Sequence, residues 1–298
     1  MATRFFLKDV LSIPLAQIEI MDIGAMIEGE DRYETLVRQG LGQVTGFEPN
    51  SKNLKILNAR PGPYRYLPYF LGDGEMATFH LTRYPGCASL LQPNEEVINL
   101  FSSIGAEPGS GNFAVTKTVE VETVRLDDIS ELTLPDYVKI DVQGAELLVM
   151  ENALDTFSDV LVVETEVEFV PIYKDQPLFG DIQLFFAKHG FMLHKLVDIA
   201  GRPLRPLTLD NPYRAMSQVL WADAIFVRGY MNLSVYTDEQ LLKAAVILND
   251  VYMSYDVVVR LLAEYDKRQT TSLQTTYMKA LASNKNLPLM YMNLKEHI

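Results

Sequence analysis

Cysteine is almost absent from this sequence, and long apolar runs are missing from it. Cys87 is the only cysteine among 298 residues, so an intramolecular disulfide and a cysteine-rich zinc site are both excluded. This scarcity is typical of a reducing compartment, and we expect a cytoplasmic protein. No segment reaches the roughly 18 uninterrupted apolar residues of a membrane-spanning helix. The apolar stretch within residues 1–17 is too short for a secretory signal, so we expect none.

Basic residues are also scarce relative to acidic ones. The chain has 26 Lys and Arg against 39 Asp and Glu, a net charge of -13. This balance argues against a nucleic-acid backbone or an anionic membrane as the main partner, although it leaves room for a local basic pocket. The four histidines show no metal-ligand spacing, so we predict no metal ligands. A divalent ion held by carboxylates alone stays an open alternative.

Strand-like and helix-like segments alternate along most of the chain. Strands joined by helices form right-handed parallel crossovers, which predicts an α/β fold with a doubly wound sheet. A beta-rich insertion, at about 76–125, interrupts the alternation at the sheet edge, and such loops often carry specificity. The predicted strands of the sheet are residues 18–23, 44–47, 64–71, 137–141, 160–163, 191–197 and 219–227.

The predicted domain organisation has three parts: an N-terminal arm (1–17), an α/β domain (18–228) and a C-terminal helical extension (229–298). Thr237, with Gln240 three residues later, predicts a capping box at the start of the extension. Beyond residue 267 the chain is polar, and we expect a partly mobile tail there. We interpret the extension as a lid, a packing layer or a homodimer contact.

Acidic residues follow several of the predicted strands. Asp22 and Glu48 come at the ends of the first two, and Asp141 closes the apolar run that begins at Tyr137. Because ligands of open α/β sheets gather beyond the carboxyl ends of the strands, these carboxylates are candidates for a binding site. Two of them have a structural alternative: Asp141 as the cap of the next helix, and Glu48 as a solvated acid in a loop.

The first glycine-containing turn separates two cofactor classes. Gly24, Met26 and Gly29 fall at the glycine positions of GxGxxG, but the middle one, where backbone approaches a pyrophosphate, is methionine. Glu28 would also place negative charge where the pyrophosphate sits. A dinucleotide therefore fits poorly, whereas S-adenosylmethionine has no phosphate and carries a sulfonium cation. Glu48 lies near the roughly 20-residue offset of acids that bind ribose hydroxyls.

Six motifs occur along the chain in this order: DIGA (22–25), GFEPN (46–50), LDD (126–128), KIDVQGAE (139–146), EVEFVPIYKDQPLF (166–179) and DAIFVR (223–228). Together they are similar to the motifs of the FkbM-type methyltransferases, and the resemblance covers about residues 18–228. It implies a class I methyltransferase fold, a Rossmann-like seven-stranded sheet whose last strand is antiparallel. It also implies S-adenosylmethionine as the methyl donor and a hydroxyl oxygen as the usual acceptor. Met26 and Glu28 depart from the family pattern, where Asn and Gly are more frequent.

Carried onto this chain residue by residue, the resemblance implies a donor site at the strand ends. Asp22, Gly24 and Ala25 would contact the methionine part of the donor, and Glu48 would bind the ribose. Asp73 would approach the adenine edge, and Asp141 would lie beside the methyl group.

Methyl transfer to a hydroxyl requires alignment of donor and acceptor and a base that takes the hydroxyl proton. Asp141, Glu166 and Glu168 are the candidate bases. If the strand that begins at residue 160 stays regular, Glu164, Glu166 and Glu168 share one face. Three such carboxylates repel one another unless a cation, an arginine or a raised pKa relieves them.

Tyr84, Ser89 and Tyr173 are candidate contacts of the acceptor, whereas Trp221 fits the core better than the acceptor pocket. We therefore predict an S-adenosylmethionine-dependent O-methyltransferase that acts on a hydroxyl of a saccharide or other small metabolite. One alternative is a non-catalytic nucleoside-binding or scaffolding protein on the same fold. A less favoured alternative is an NAD-dependent oxidoreductase.

Overall fold

The computed structural model describes residues 5–26 and 29–284, so Glu28 lies outside the described residues. The strands are β1 (Ile18–Ile23), β2 (Gly42–Phe47), β3 (Tyr64–Leu67), β4 (Phe70–Leu71), β5 (Met76–Thr82), β6 (Val115–Val124), β7 (Tyr137–Ile140), β8 (Val162–Glu168), β9 (Phe191–Gly201) and β10 (Val219–Arg228). The α-helices are α1 (Glu34–Arg38), α2 (Ser51–Asn58), α3 (Glu95–Ile98), α4 (Glu146–Glu151), α5 (Phe179–Lys188), α6 (Asp238–Asp250), α7 (Tyr255–Gln269) and α8 (Leu273–Ser283).

Seven strands form one sheet in the order β3-β2-β1-β7-β8-β10-β9. The pairs β2–β3, β1–β7 and β7–β8 are parallel, whereas β10 runs antiparallel to both β8 and β9. The predicted fold class is confirmed: the sheet is Rossmann-like and mostly parallel, and its last strand is antiparallel. The strand order reverses between β1 and β7, which is where ligands of open α/β sheets bind.

The central strands are apolar because helices cover both faces of a parallel sheet. Val138 and Ile140 of β7 and Val163 of β8 are fully buried in one hydrophobic cluster. The Phe186 ring of α5 stacks on Phe226 of β10 in the same cluster, with centroids 4.2 Å apart. This packing fixes the ends of β7 and β8, from which the candidate site is built.

The predicted strand at 64–71 is two strands in the structure. β3 belongs to the main sheet, whereas β4 joins β5 and β6 in a separate three-stranded sheet. Pro68 lies between them and has no backbone N–H to donate, which ends the pairing of β3. β5 and β6 pair antiparallel, and the long connection between them, 83–114, carries α3. The predicted beta-rich insertion is thus confirmed.

The chain divides into two compact units. One consists of Ile20–Gly29 and Val44–Arg228, and the other of the described parts of Met1–Glu19, Glu30–Gln43 and Gly229–Ile298. The residues predicted as an arm and as a C-terminal extension therefore lie in the same unit. The predicted domain boundaries and the homodimer contact stay predictions.

The unit that contains the C-terminal helices has its own buried polar network. The Asp250 carboxylate accepts hydrogen bonds from the Leu7 backbone N–H and from Gln39 Nε2, each at 3.0 Å. The capping box predicted at Thr237 and Gln240 is present at the start of α6. No helix in the described part of the chain is long and apolar enough to cross a membrane.

The polar tail expected after residue 267 contains a helix. α8 follows a short turn, and Leu273, Tyr277 and Leu281 are buried along it. Their spacing of four residues places them on one helical face, which packs although most of the intervening residues are polar. The part of the expected tail after residue 284 lies outside the described residues.

Candidate active site

A lysine lies between two strand-end carboxylates. Asp22 of β1 pairs in register with Lys139 of β7. Lys139 Nζ lies 3.7 Å from Asp22 Oδ1 and 3.8 Å from Asp141 Oδ2. Only 1% of the Asp22 side chain is exposed, so the Lys139 cation offsets a negative charge that is buried. Sequence reasoning missed Lys139, although the period of two places it on the same face as Asp141.

Gly24 lets the loop after β1 touch the loop after β7. A Cβ atom on Gly24 would lie 1.9 Å from the backbone oxygen of Asp141, and the φ of Gly24 is +87°. The Asp141 N–H also donates to the Ile23 carbonyl at 2.9 Å. Ala25 is buried, and its N–H donates to the Phe47 carbonyl. Asp22, Gly24, Ala25 and Asp141 are therefore brought together at the end of the sheet.

Glu48 organises the start of α2. One carboxylate oxygen accepts from the Asn50 N–H at 2.7 Å, and the other accepts from Asn53 Nδ2 at 3.1 Å. Burial raises the pKa of Glu48, and these two hydrogen bonds oppose the rise. Each oxygen has one hydrogen bond and retains a further lone pair, so the carboxylate can accept from a ligand as well.

Asp73 follows β4 of the small sheet and is exposed. Its Oδ1 accepts from the Glu75 N–H at 3.0 Å and from Thr123 Oγ1 at 3.3 Å. These bonds hold the turn after β4 against β6. The contact of Asp73 with adenine stays a prediction.

Glu146 holds the loop between β7 and α4. Its carboxylate accepts from the N–H of Val142 at 2.8 Å and from that of Gly144 at 3.0 Å. Burial first, and then the charge of Asp141, raises the pKa of Glu146 to about 7. The glutamate of the KIDVQGAE motif thus fixes the conformation of the loop that carries Gln143.

Gln143 connects Asp141 to β8. Its Nε2 donates to Asp141 Oδ1 and to Glu166 Oε2, both at 2.8 Å, and its Oε1 accepts from the Tyr173 hydroxyl at 3.0 Å. The Ser89 hydroxyl donates to the backbone oxygen of Gln143 at 2.7 Å. Sequence reasoning missed Gln143, because its left-handed φ of 57° and its bridging role depend on contacts distant in sequence.

The acidic face of β8 forms as the alternation predicts, since the strand continues to Glu168. The Glu164 carboxylate accepts from the Tyr137 hydroxyl at 2.9 Å. Burial raises the pKa of Glu166 well above its ordinary value, and the charges of Asp141 and Glu168 raise it further. Burial likewise raises the pKa of Glu168. Raised pKa values are thus one of the predicted ways in which this cluster avoids repulsion.

A cavity of about 700 Å³ lies against this acidic face. Residues of the insertion between β5 and β6 supply much of its wall, together with the segment between β9 and β10. It is lined by Tyr84, Tyr173, Glu166 and Glu168, whereas Ser89 is buried and is not among the described residues that line it. Trp221, which fitted the core better from sequence, also lines the cavity.

A metal centre has no ligand set in the ranges 5–26 and 29–284. Within them, no group of three or more His, Cys, Asp or Glu side chains is arranged to hold an ion. Burial raises the pKa of the Cys87 thiol to about 12, so this thiol at the cavity wall stays protonated at neutral pH.

The family described as "Methyltransferase FkbM domain" matches residues 22–193, more than half of the chain. The chain belongs to the FkbM methyltransferase family. The match includes the strand-end acids and the Gln143 loop, and it ends within β9. No curated protein matches the sequence significantly.

The chain also matches several solved structures at low sequence identity and low TM-score. Methyltransferase FkbM from Methylobacillus flagellatus KT is 14% identical, with 72% of this chain and 45% of that chain covered and a TM-score of 0.38. An inferred methyltransferase from Thermoplasma acidophilum is 12% identical, with 72% and 69% covered and a TM-score of 0.35. The magnesium protoporphyrin IX methyltransferase of Synechocystis PCC 6803, solved with S-adenosylmethionine, is 11% identical, with 72% and 71% covered and a TM-score of 0.32.

Proposed function

We propose that this FkbM-family protein is a cytoplasmic S-adenosylmethionine-dependent O-methyltransferase that acts on a hydroxyl of a saccharide or other small metabolite. The observation that carries the proposal is the Gln143 bridge. It connects Asp141, at the strand ends where a donor is expected, to Glu166, which lines the cavity. A donor pocket and an acceptor pocket that meet at hydrogen-bonded carboxylates are what transfer to a hydroxyl requires.

The strand-end residues fit the chemistry of this donor. Glu48 has lone pairs left for the ribose hydroxyls. The close contact at Gly24 requires a residue without a side chain, at the turn where the amino-acid end of the donor would lie. Asp22 and Asp141 add negative charge near a sulfonium cation, and Asp73 is assigned to the adenine edge. When bound, S-adenosylmethionine supplies a methyl group whose carbon is activated by the positively charged sulfur.

Glu166 is our first choice for the residue that takes the acceptor proton. It lines the cavity, and its Oε2 is held by Gln143. Its raised pKa makes the ionised form a stronger base than an ordinary carboxylate. The acceptor O–H proton would pass to this carboxylate as the oxygen takes the methyl group. Asp141 and Glu168 then act on Glu166 through their charge, and each stays an alternative base.

The acceptor would lie in the cavity beside this carboxylate. The Tyr173 hydroxyl donates a hydrogen bond to Gln143 Oε1, so Tyr173 helps to fix the bridge, and it also lines the cavity. Tyr84, on the insertion, is about half exposed at the cavity wall and is placed to contact the acceptor. Ser89 would act indirectly, by holding the Gln143 backbone.

Calorimetric titration followed by a transfer assay tests the proposal. We expect the protein to bind S-adenosylmethionine and not NADH, and to transfer a labelled methyl group to members of a hydroxyl-compound panel. Glu166→Gln should bind the donor normally and transfer at least about 100-fold more slowly, as loss of a general base predicts. NADH binding would support the oxidoreductase alternative, and donor binding with no transfer to any acceptor would support the scaffold alternative.

A further inference from the structure

Arg202 is a buried arginine with an unused hydrogen-bonding edge in the wall of the cavity. It follows β9, and only 7% of it is exposed. Both of its hydrogen bonds use Nη1, which donates to the Gly201 carbonyl at 2.7 Å and to the Tyr213 carbonyl at 3.3 Å. The Nε–H is buried, and no acceptor for it exists among the residues that the structure describes.

The unused edge is the one suited to an oxyanion. Nε and Nη2 project in parallel, so together they can donate two hydrogen bonds to the two oxygens of a carboxylate. A buried N–H without an acceptor costs free energy, which a bound acceptor would recover. The guanidinium carbon lies 5.0 Å from the Trp221 ring centroid and 5.4 Å from that of Tyr213, and these rings hold its plane in position.

Arg205, in the same cavity wall, is occupied by the protein. Its Nε and Nη2 donate to the carbonyls of Phe101 and Ile104, and its Nη1 lies 3.3 Å from Glu107 Oε1. Arg202, by contrast, forms no ion pair with any described side chain. Among the described residues that line the cavity, Arg202 is therefore a guanidinium with no ion-pair partner and an unused donor edge.

We propose that Arg202 binds a carboxylate of the acceptor, so that the substrate is a hydroxy acid. This rests on the proposed function, because it places the acceptor in the same cavity. The carboxylates of Glu166 and Glu168 line the cavity as well and repel an anion. A hydroxy acid is therefore oriented, with its carboxylate on Arg202 and its hydroxyl free to approach Glu166. One guanidinium edge matches the single charge and two oxygens of a carboxylate better than it matches a phosphate dianion.

Trp221 provides a direct readout, because it is the only tryptophan and lies against Arg202. Acetate, inorganic phosphate and the neutral acetamide are titrated at constant ionic strength while tryptophan fluorescence is followed. We expect a saturable change with acetate and none with acetamide. Arg202→Gln should weaken the acetate response by about tenfold or more, and Arg202→Lys, which keeps the charge but loses the paired donors, should weaken it less. Arg65→Gln, at an exposed ion pair with Glu131, is the matched control.

Each outcome decides the proposal. Equal responses to acetate and acetamide, or an acetate response that survives in Arg202→Gln, would overturn it. Phosphate that saturates at a lower concentration than acetate would overturn the carboxylate assignment in favour of a phosphoryl group. Thermal unfolding of each variant shows whether it is folded. If Arg202→Gln does not fold, the acetate response of Arg202→Lys tests the proposal, and a response equal to that of the wild type would overturn the role of the paired donors.

The proposed function is tested separately by donor titration and by paired acceptors. A saturable acetate response in a protein that binds no S-adenosylmethionine would leave the anion site standing and defeat the methyltransferase proposal. Donor binding with equal methylation of hydroxy acids and of their amides would support a methyltransferase and defeat the role of Arg202.

Discussion

Glu48 and Glu166 differ in the hydrogen bonds that their carboxylates already accept. Glu48 accepts one hydrogen bond on each oxygen, from Asn50 and from Asn53 of α2, whereas Glu166 accepts from Gln143 on one oxygen and lines the cavity. The first arrangement presents a fixed acceptor to a ligand, and the second leaves the other oxygen of an acid with a raised pKa available for a proton. The two carboxylates are therefore expected to affect different kinetic quantities.

Glu48→Gln should weaken S-adenosylmethionine binding. The amide can still accept from the Asn50 N–H, but it lacks the charge and one of the two acceptor atoms. Because a hydrogen bond to a charged group contributes about 1.5–3 kcal/mol, we expect a loss of that size in calorimetric titration. Glu131→Gln, at an exposed site, should leave the affinity unchanged. Equal affinities for the Glu48 variant and the wild type would remove Glu48 from the donor site.

Glu168→Gln should shift the pH dependence of turnover to lower pH. The wild-type kcat/KM is expected to rise with pH as Glu166 ionises, and to level off above its raised pKa. Removing the negative charge of Glu168 favours the ionised form of Glu166, so the inflection should move down. The exposed Glu122→Gln on β6 should not move it. An inflection that stays fixed or moves up in Glu168→Gln would show that Glu166 is not the base.

At the residue scale, the sequence predicted which acidic residues lie near the site, but it did not predict the side chains that contact them. Asp22, Asp141 and Glu166 follow from strand ends and from alternation within a strand. Lys139 and Gln143 act by contact with residues on other strands, and no periodicity in a single sequence specifies such contacts. Arg202 was equally hidden, because its importance depends on a burial that only the folded cavity reveals.

At the scale of elements, the closest packing in the site is between two loops. Gly24→Ala would put its Cβ against the Asp141 carbonyl and force a left-handed conformation on alanine. Gly190→Ala provides the matched control, since its φ of +82° is similar and nothing lies within 4 Å of the added atom. The control isolates the backbone strain, which for a non-glycine residue is about 1–2 kcal/mol.

We expect Gly24→Ala to reduce the free energy of unfolding by at least about 3 kcal/mol, and Gly190→Ala by about 1–2 kcal/mol. Denaturant unfolding of both variants checks this difference. If the two variants lost the same stability, the contact between the β1 and β7 loops would not be as close as the structure has it.

Helices and strands were predictable where the local sequence pattern and the tertiary packing favour the same element. The capping box of α6 and the alternation of β8 are local signals, and both are present. The split between β3 and β4 was missed although Pro68 marks it, because a proline at an edge strand is compatible with either arrangement. α8 was missed because its apolar face is narrow and the residues between are polar, so tertiary packing stabilises the helix more than its composition does.

At the scale of the whole molecule, the buried acids couple stability to pH. Burial is the first cause that raises the pKa of Glu48, Glu146, Glu166, Glu168 and Asp250. Between the ordinary carboxyl pKa and the raised one, the folded state binds more protons than the unfolded state. The free energy of unfolding should therefore fall as pH rises through this window.

We expect a higher thermal midpoint at pH 6 than at pH 8, both above the isoelectric point of about 4.8. Glu146→Gln keeps an acceptor for the loop N–H groups and removes an acid whose pKa is about 7. It should reduce the difference between the two midpoints, as scanning calorimetry can measure. A wild-type midpoint that is highest at pH 8 would contradict the raised pKa values.

The fold class was predictable because the alternation of strands and helices is long, and because the order of six motifs is typical of one family. The acceptor was not predictable, because the insertion and the segment between β9 and β10 build most of the cavity that we propose for it. These segments lack periodicity, so their side chains acquire neighbours only through the tertiary fold. The net charge of -13 likewise gave no indication that Arg202 lies in the cavity wall with an unused donor edge.

A crystal structure of the protein with S-adenosylhomocysteine tests the central claim most directly. The account predicts the ribose hydroxyls within hydrogen-bond distance of the Glu48 carboxylate, and the sulfur beside the Asp141 loop on the side that opens toward Glu166. A nucleoside bound elsewhere, with Glu48 still contacting only Asn50 and Asn53, would contradict it.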